Sequence, residues 1–205
     1  SVNFLGKINL GHSYTVISPT KPYPNKGIFE TLQYVKKTRG CNFLFSNLIR
    51  KIKNKFLPIS SNTLQFACNK LDFKLIKCKV LESDFLISEF KKLNPDIICS
   101  ISLNHKVPKE LFSLSKIISL NIHPSLLPSY QGPSPIFWVL NNKEEYSGIS
   151  IHELTSDFDK GKIIYQKKYS ISGMNEKELY AKSSDKSADS FNHLIDNLPD
   201  LPDLE

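Results

Sequence analysis

Long apolar runs are missing from this sequence, and so is any grouping of cysteines. No stretch approaches the roughly 18 apolar residues that a membrane-crossing helix needs, so no membrane partner is expected. The first residues lack the pattern of a basic segment, an apolar stretch and a small-residue cleavage site, which makes the cytoplasm the expected location. Cys41, Cys68, Cys78 and Cys99 are scattered, with no CxxC pair and no Cys/His spacing of metal ligands, so no metal is expected. Cys99, inside DIICSISL, reads as a buried thiol. Glycine is sparse, at 8 residues, and only GKINLGHS approaches a phosphate loop. Gly6 and Gly11 have the right separation, but His12 stands where lysine is needed and no clear strand precedes the segment.

Acidic residues are outnumbered, 20 against 27 lysines and arginines, giving a net charge of +7 and a pI near 9.1. That balance favours an anionic partner such as a nucleotide, a phosphosugar or a nucleic acid. The excess gathers in NLIRKIKNK, residues 47–55. Its lysines alternate with Leu48, Ile49 and Ile52, which reads as the solvated face of an amphipathic helix.

What is present is an ordinary globular composition, 40% hydrophobic and 23% charged, with room for one domain over residues 1–198 and a tail at 199–205. YTVISP reads as a short strand stopped by proline, followed by expected helices at 27–38, 43–56 and 61–70. KLIKCKV reads as a strand and DFLISEFKKL as a helix. PDIICSISL, residues 95–103, has the continuous apolar character of a strand buried on both faces. A short helix after Pro108 and the strand KIISLNIH complete a βαβ unit, which predicts a parallel sheet and an α/β fold. IFWVLNN then reads as a helix, SGISIHELT and KIIYQKKYSI as strands, and 175–197 as a final amphipathic helix.

Ligands of such sheets bind beyond the carboxyl ends of the strands, where NIHPSLLPSYQGPSP begins. The period of two sends Asn121 and His123 to one face, with Ile122 opposite. A neutral amide donor beside an imidazole suits an acyl carbon passing through an oxyanion, with Asn121 and protonated His123 holding the oxygen. A polar pair capping a strand end is the plainer alternative. SDFDKGKII adds Asp159 in a tight turn, where a surface aspartate is again the plainer alternative. His152 reads as packed or exposed within its strand.

Together these residues resemble a known family. NIHPSLLP-x-Y-x-G-P-x-P-x-x-W, followed by SGISIHELTSDFDKGKII, is similar to the signature of the formyltransferases that use 10-formyltetrahydrofolate. The match is strong over about 95–170 and weak before 60. The resemblance implies a Rossmann-like, mostly parallel sheet flanked by helices, with a diverged or incomplete first strand. It implies Asn121, His123 and Asp159 as catalytic residues. It places 10-formyltetrahydrofolate between two loops, with Leu103, His105, Lys106 and Val107 on one and Leu154, Thr155 and Asp157 on the other. Tyr130 and Gln131 would shape the acceptor pocket, although Gln131 stands where relatives commonly have arginine. GPSPIFW resembles the nucleotide-sugar N-formyltransferases more than the RGAAPI-like stretch of the tRNA-directed branch, whose further C-terminal domain is also not seen in this sequence. The expected acceptor is therefore a small-molecule amine, a nucleotide-linked amino sugar. Formylatable tRNA and a non-catalytic folate- or nucleotide-binding role remain as alternatives. A homodimer contact through the C-terminal half is a further implication.

Overall fold

The computed structural model describes residues 2–8, 11–19, 64–103 and 105–198. The expected helices at 27–38 and 43–56, the basic segment 47–55 and the tail lie outside the described residues. The chain forms two compact units, one of residues 14–79 and one built mainly from 80 onward together with 3–13.

In the smaller unit β1 (Thr15–Pro19) pairs in parallel with β2 (Lys74–Cys78), and α2 (Leu64–Lys70) leads into β2. α2 turns through Asp72, whose φ of 55° lets the Phe73 amide return to the Cys68 carbonyl.

In the larger unit α1 (Val2–Leu5) is a single helical turn that runs into Gly6, where a phosphate loop would have a strand. Phe4 packs on Phe191 at 5.7 Å between ring centroids. α3 (Asp84–Leu93) forms where expected: the Ser83 hydroxyl caps the Leu86 amide, and Leu86 and Phe90 share the buried face. β3 (Ile97–Ile101), α4 (Lys109–Phe112) and β4 (Ile118–His123) form the expected βαβ unit with a parallel pairing. α5 (Pro135–Asn141) separates it from β5 (Tyr146–Glu153) and β6 (Ile163–Ser170). The strand order is β3-β4-β5-β6, and β5 and β6 run antiparallel to their neighbours. Among the described residues β3 ends its sheet; Ile98 is buried on it and the other four residues are half-buried, so the expected full burial on both faces is only partly met.

The core centres on β4 and β5, where Leu120, Ile122, Ile149 and Ile151 are at most 1% exposed. Each such side chain contributes about 1.5–3 kcal/mol on burial. α6 (Glu176–Asp196) starts from a capping box between Asn175 and Glu178. It buries Leu179, Ser183, Ser187, Phe191 and Leu194, the small serines letting it lie close to the sheet. Among the described residues no helix is long and apolar enough to cross a membrane.

Candidate active site

The pleat of β4 sends Asn121 and His123 to one side and Ile122 into the core. Antiparallel pairing then sets His152 of β5 directly opposite Asn121, and Ser150 opposite His123. Asn121 Nδ2 lies 3.0 Å from His152 Nε2 and donates to Asp159 Oδ1 at 3.1 Å. His123 Nδ1 is 3.5 Å and His152 Nε2 3.3 Å from the same carboxylate oxygen. His123, His152 and Asp159 are all buried.

Asp159 arrives from the turn after β5. Its own φ of 52° is left-handed, an unfavourable conformation for a residue other than glycine. Three bonds fix it there: the Gly132 amide to Oδ2 at 2.7 Å, Gln131 Nε2 to its carbonyl at 2.9 Å, and Asn121. Gly161 closes the turn against β5. A methyl group on it would meet the Glu153 carbonyl oxygen at 2.0 Å, so only glycine fits.

The loop after β4 is held from below. Ser150 donates to the Ser125 carbonyl at 2.7 Å and accepts from the Leu127 amide at 3.0 Å. Gln166 of β6 donates to the Leu127 carbonyl and to Ser150. The Leu127–Pro128 peptide bond is cis. Leu126 lies so close to Gly148 that a methyl there would meet its Cδ2 at 2.3 Å.

These contacts assign protons. His123 Nε2 is 2.8 Å from the Tyr130 carbonyl, which can only accept, so Nε2 carries a hydrogen. Nδ1 is left facing Asp159 and gains an ion pair when protonated. His152 Nδ1 likewise donates to the Glu153 carbonyl at 2.8 Å, leaving Nε2 to accept from Asn121. One amide group thus bridges an imidazole and a carboxylate. Burial depresses the pKa of His123 below its ordinary value, and the Asp159 charge and the Tyr130 carbonyl offset this only in part. Burial works against ionisation of Asp159 as well, but the two histidine rings and the Gly132 amide outweigh it and hold its carboxyl below the usual range.

Asn121 and His123, neighbours on one face of β4, therefore converge with Asp159, which comes from the distant turn after β5. Gln131 contacts Asp159 through its backbone oxygen, and Tyr130 contacts His123 through its own carbonyl. On the two expected cofactor loops, Leu103, Val107, Leu154 and Thr155 are half-buried, His105 is buried, and Lys106 and Asp157 are exposed. The loops are neighbours: Lys106 Nζ lies 5.8 Å from the centre of the Phe158 ring. Thr155 Oγ1 donates to the Asp157 carbonyl, and the Leu154 amide to the Ser119 carbonyl.

Sequence reasoning missed His152, read only as packed or exposed within its strand; it is buried against the carboxylate cluster. It also missed Ser150 and the Gly132 amide. The signal for His152 was its strand period, which is usable only once the β4–β5 register is known. Among the described residues no three His, Cys, Asp or Glu side chains form a group suited to a metal ion.

Residues 60–194 match the family described as formyl transferase, the family expected from NIHPSLLP and SDFDKGKII. The chain is 34% identical over 112 residues to methionyl-tRNA formyltransferase of Ehrlichia ruminantium (strain Welgevonden), covering 54% of this chain and 37% of that protein. It is 32% identical over 145 residues to the bifunctional polymyxin resistance protein ArnA of Wigglesworthia glossinidia brevipalpis, covering 64% of this chain and 22% of that one. The chain thus spans between about a fifth and two fifths of the length of these curated relatives. The crystal structure of phosphoribosylglycinamide formyltransferase from Streptococcus pneumoniae TIGR4 superposes with a TM-score of 0.59 at 20% identity, over 66% of this chain and 79% of that one. This likeness places the two chains in the same α/β fold.

Proposed function

Because the chain belongs to the formyl transferase family, we propose that it moves a formyl group from 10-formyltetrahydrofolate to a primary amine. The observation that carries this reading is the convergence of Asn121, His123 and Asp159, with His152, inside a contact radius of 3.5 Å.

The folate, when bound, supplies the formyl carbon that the amine attacks. The chain's own residues would do the rest. Asn121 turns an amide hydrogen from His152 or Asp159 to the oxygen that gains negative charge, a donor worth roughly 3 kcal/mol of barrier reduction. His123, neutral because of its burial, takes up at Nδ1 the proton lost by the amine, delivered directly or through water. The Asp159 carboxylate beside Nδ1 stabilises the resulting imidazolium, which would return the proton to the folate nitrogen as its bond to the formyl carbon breaks. This refines the earlier expectation of a His123 that begins protonated.

The described residues of the loops 103–108 and 154–158 offer surface suited to a flat ring system. Leu103, Val107 and Leu154 offer half-buried apolar surface, and Phe158, 52% exposed, offers an aromatic face next to the cationic Lys106. His105, Thr155 and Asp157 belong to the same two loops and complete the proposed cofactor set. Tyr130 and Gln131 border the acceptor side.

The favoured acceptor is a nucleotide-linked amino sugar, on the strength of the GPSPIFW stretch and a net charge of +7 that suits a diphosphate. A second reading, formylatable tRNA, is favoured by the 34% identity to a methionyl-tRNA formyltransferase. The cytoplasmic setting and a homodimer through the C-terminal half belong to the same reading. The test is incubation with 10-formyltetrahydrofolate and, separately, aminated nucleotide sugars, tRNA, glycinamide ribonucleotide or water alone. Formylation of an amino-sugar nucleotide is expected. Formylation of tRNA alone would move the chain to the second reading. Folate-induced thermal stabilisation with no formyl transfer to any amine would sink the catalytic reading and leave a binding protein.

A further inference from the structure

Tyr130 stands at the inner end of a short chain of bonds that runs from the surface to the site. Its φ is 59°, left-handed, although it is not glycine and although Gly132, at 85°, sits two residues on. A residue keeps such a conformation, which costs of order 1–3 kcal/mol, only where its surroundings over-determine it. The surroundings here are specific. The Tyr130 hydroxyl donates to Glu144 Oε1 at 2.5 Å and accepts from Asn142 Nδ2 at 3.0 Å. The Glu144 carboxylate raises the tyrosine's pKa, so the hydroxyl stays a donor.

The acceptor end is built with equal care. α5 ends in a Schellman-type cap: the Lys143 amide bonds the Leu140 carbonyl and the Glu144 amide the Val139 carbonyl. Lys143 occupies the left-handed position, with φ 54°, where glycine is the usual choice. This turn reverses the chain and carries Glu144 back to Tyr130. Two left-handed residues thus flank a single side-chain hydrogen bond.

We propose that Tyr130, tethered by Glu144 and Asn142, is a positioning residue that holds its own carbonyl against His123 Nε2 and so fixes the tautomer of that imidazole. The inference rests on the formyl-transfer reading for its kinetic consequence, but not for its structural one. Two acceptors compete for the single hydrogen of neutral His123: the Tyr130 carbonyl at Nε2, 2.8 Å away, and the Asp159 carboxylate near Nδ1, 3.5 Å away. The carboxylate is the stronger acceptor and wins if the carbonyl swings aside. Nδ1 would then already carry a hydrogen and could not take the amine's proton. Held in place, the carbonyl keeps Nδ1 free to accept. Nothing in the role expected for Tyr130 as an acceptor-pocket residue requires its hydroxyl to reach Glu144.

The experiment is nitrogen-15 NMR of the full chain labelled at histidine, with His123 assigned through His123→Gln, alongside steady-state kinetics. The wild-type His123 is expected to carry its hydrogen on Nε2. Tyr130→Phe and Glu144→Ala should both move population to the Nδ1–H form, while Glu144→Gln, which keeps an acceptor, stays near wild type. In the first two variants kcat should fall about tenfold with KM for both substrates within roughly twofold, the pattern of a misplaced group rather than lost binding. Unchanged His123 signals in folded Tyr130→Phe and Glu144→Ala protein would overturn the proposal. So would a raised acceptor KM at constant kcat, which would make Tyr130 a binding contact. The NMR reading needs no turnover, so an inactive wild type would sink the formyl-transfer reading while the tautomer result judged the tether alone.

Discussion

The site has a strand-borne half and a loop-borne half, and they are held by different physics. Asn121, His123 and His152 sit on β4 and β5, where pleat and register fix which way each side chain points. None of the three has a left-handed φ, although the β5–β6 register shifts between Ile151 and His152. Tyr130, Gly132 and Asp159 sit on loops, and all three have positive φ. Their positions rest on individual hydrogen bonds: Tyr130 carbonyl to His123, Gly132 amide and Gln131 side chain to Asp159. The strands supply groups in a rigid frame, and the loops supply the charge, adjustable by one bond at a time. Changes to the charge or the donor should hit chemistry, and changes to the loop supports should be graded.

The largest effect is expected from the two halves' reacting groups. Asp159→Ala removes the charge that stabilises His123 as a cation, and Asn121→Ala removes the oxyanion donor. Each should lower kcat by about 10²–10³-fold or more, while folate-induced stabilisation survives. Equal turnover in wild type and both variants would break the assignment of either half.

Gly161→Ala should come next, and it acts at the seam between the halves. The added methyl collides with the backbone of Glu153, which cannot yield without moving the end of β5. Its carbonyl also fixes the His152 tautomer. A loss of about 2–3 kcal/mol in stability is expected, read as a lowered midpoint in urea, together with lost turnover. A variant with unchanged midpoint and turnover would show that the turn is soft.

His152→Ala tests the strand half alone. Asn121 would lose one of its two acceptors, and a fall in kcat of about ten- to thirtyfold is expected from the loss of its orientation, with little change in KM. An unchanged kcat would reduce His152 to packing.

Titration sharpens the contrast further. His123 is depressed below its ordinary value of 6.5, so the unfolded chain protonates first as pH falls. Stability is therefore full above that value and declines below it, toward the folded pKa. Asp159 is depressed as well, so its contribution is present above its ordinary value of 3.8 and is lost as pH falls through the folded pKa. As a base, His123 should give kcat/KM an acid limb below 6.5, and Asp159→Asn should move His123's titration lower still by removing the charge that raises it. A limb at or above 6.5 would contradict the burial-dominated pKa.

The fold was legible wherever local signals agreed. Ser83 followed by Asp84 and an amphipathic run marked α3, and DIICSISL with KIISLNIH marked a parallel pair. The strand-borne pair Asn121 and His123 followed from the period of two. His152 did not, because its partnership with Asn121 spans 31 residues and depends on an antiparallel register that no local pattern encodes. Nor did the supports of the loop half. Left-handed φ at Tyr130, Lys143 and Asp159 is invisible where the residue is not glycine, and the tie from Glu144 to Tyr130 exists only after α5 has turned the chain. The acceptor is the least legible feature, since it depends on groups around the site rather than on the site itself.

Gln131 gives the smallest and most discriminating test of the loop half. An arginine expected from relatives would put a fixed charge beside the acceptor, whereas Gln131 directs its amide to the Asp159 carbonyl. It is an exposed residue and acts on a backbone atom, so water can take over part of that bond. Gln131→Ala should cost only about 0.5–1.5 kcal/mol, a kcat loss of several-fold. Gln131→Arg separates the two roles. If position 131 serves mainly to hold the turn, arginine can still donate to the carbonyl, and kcat should return toward wild type. If it serves mainly to greet an anionic acceptor, arginine should instead lower the acceptor KM and leave kcat near that of the alanine variant. The second outcome would mean that the loop half recognises substrate as well as carrying charge.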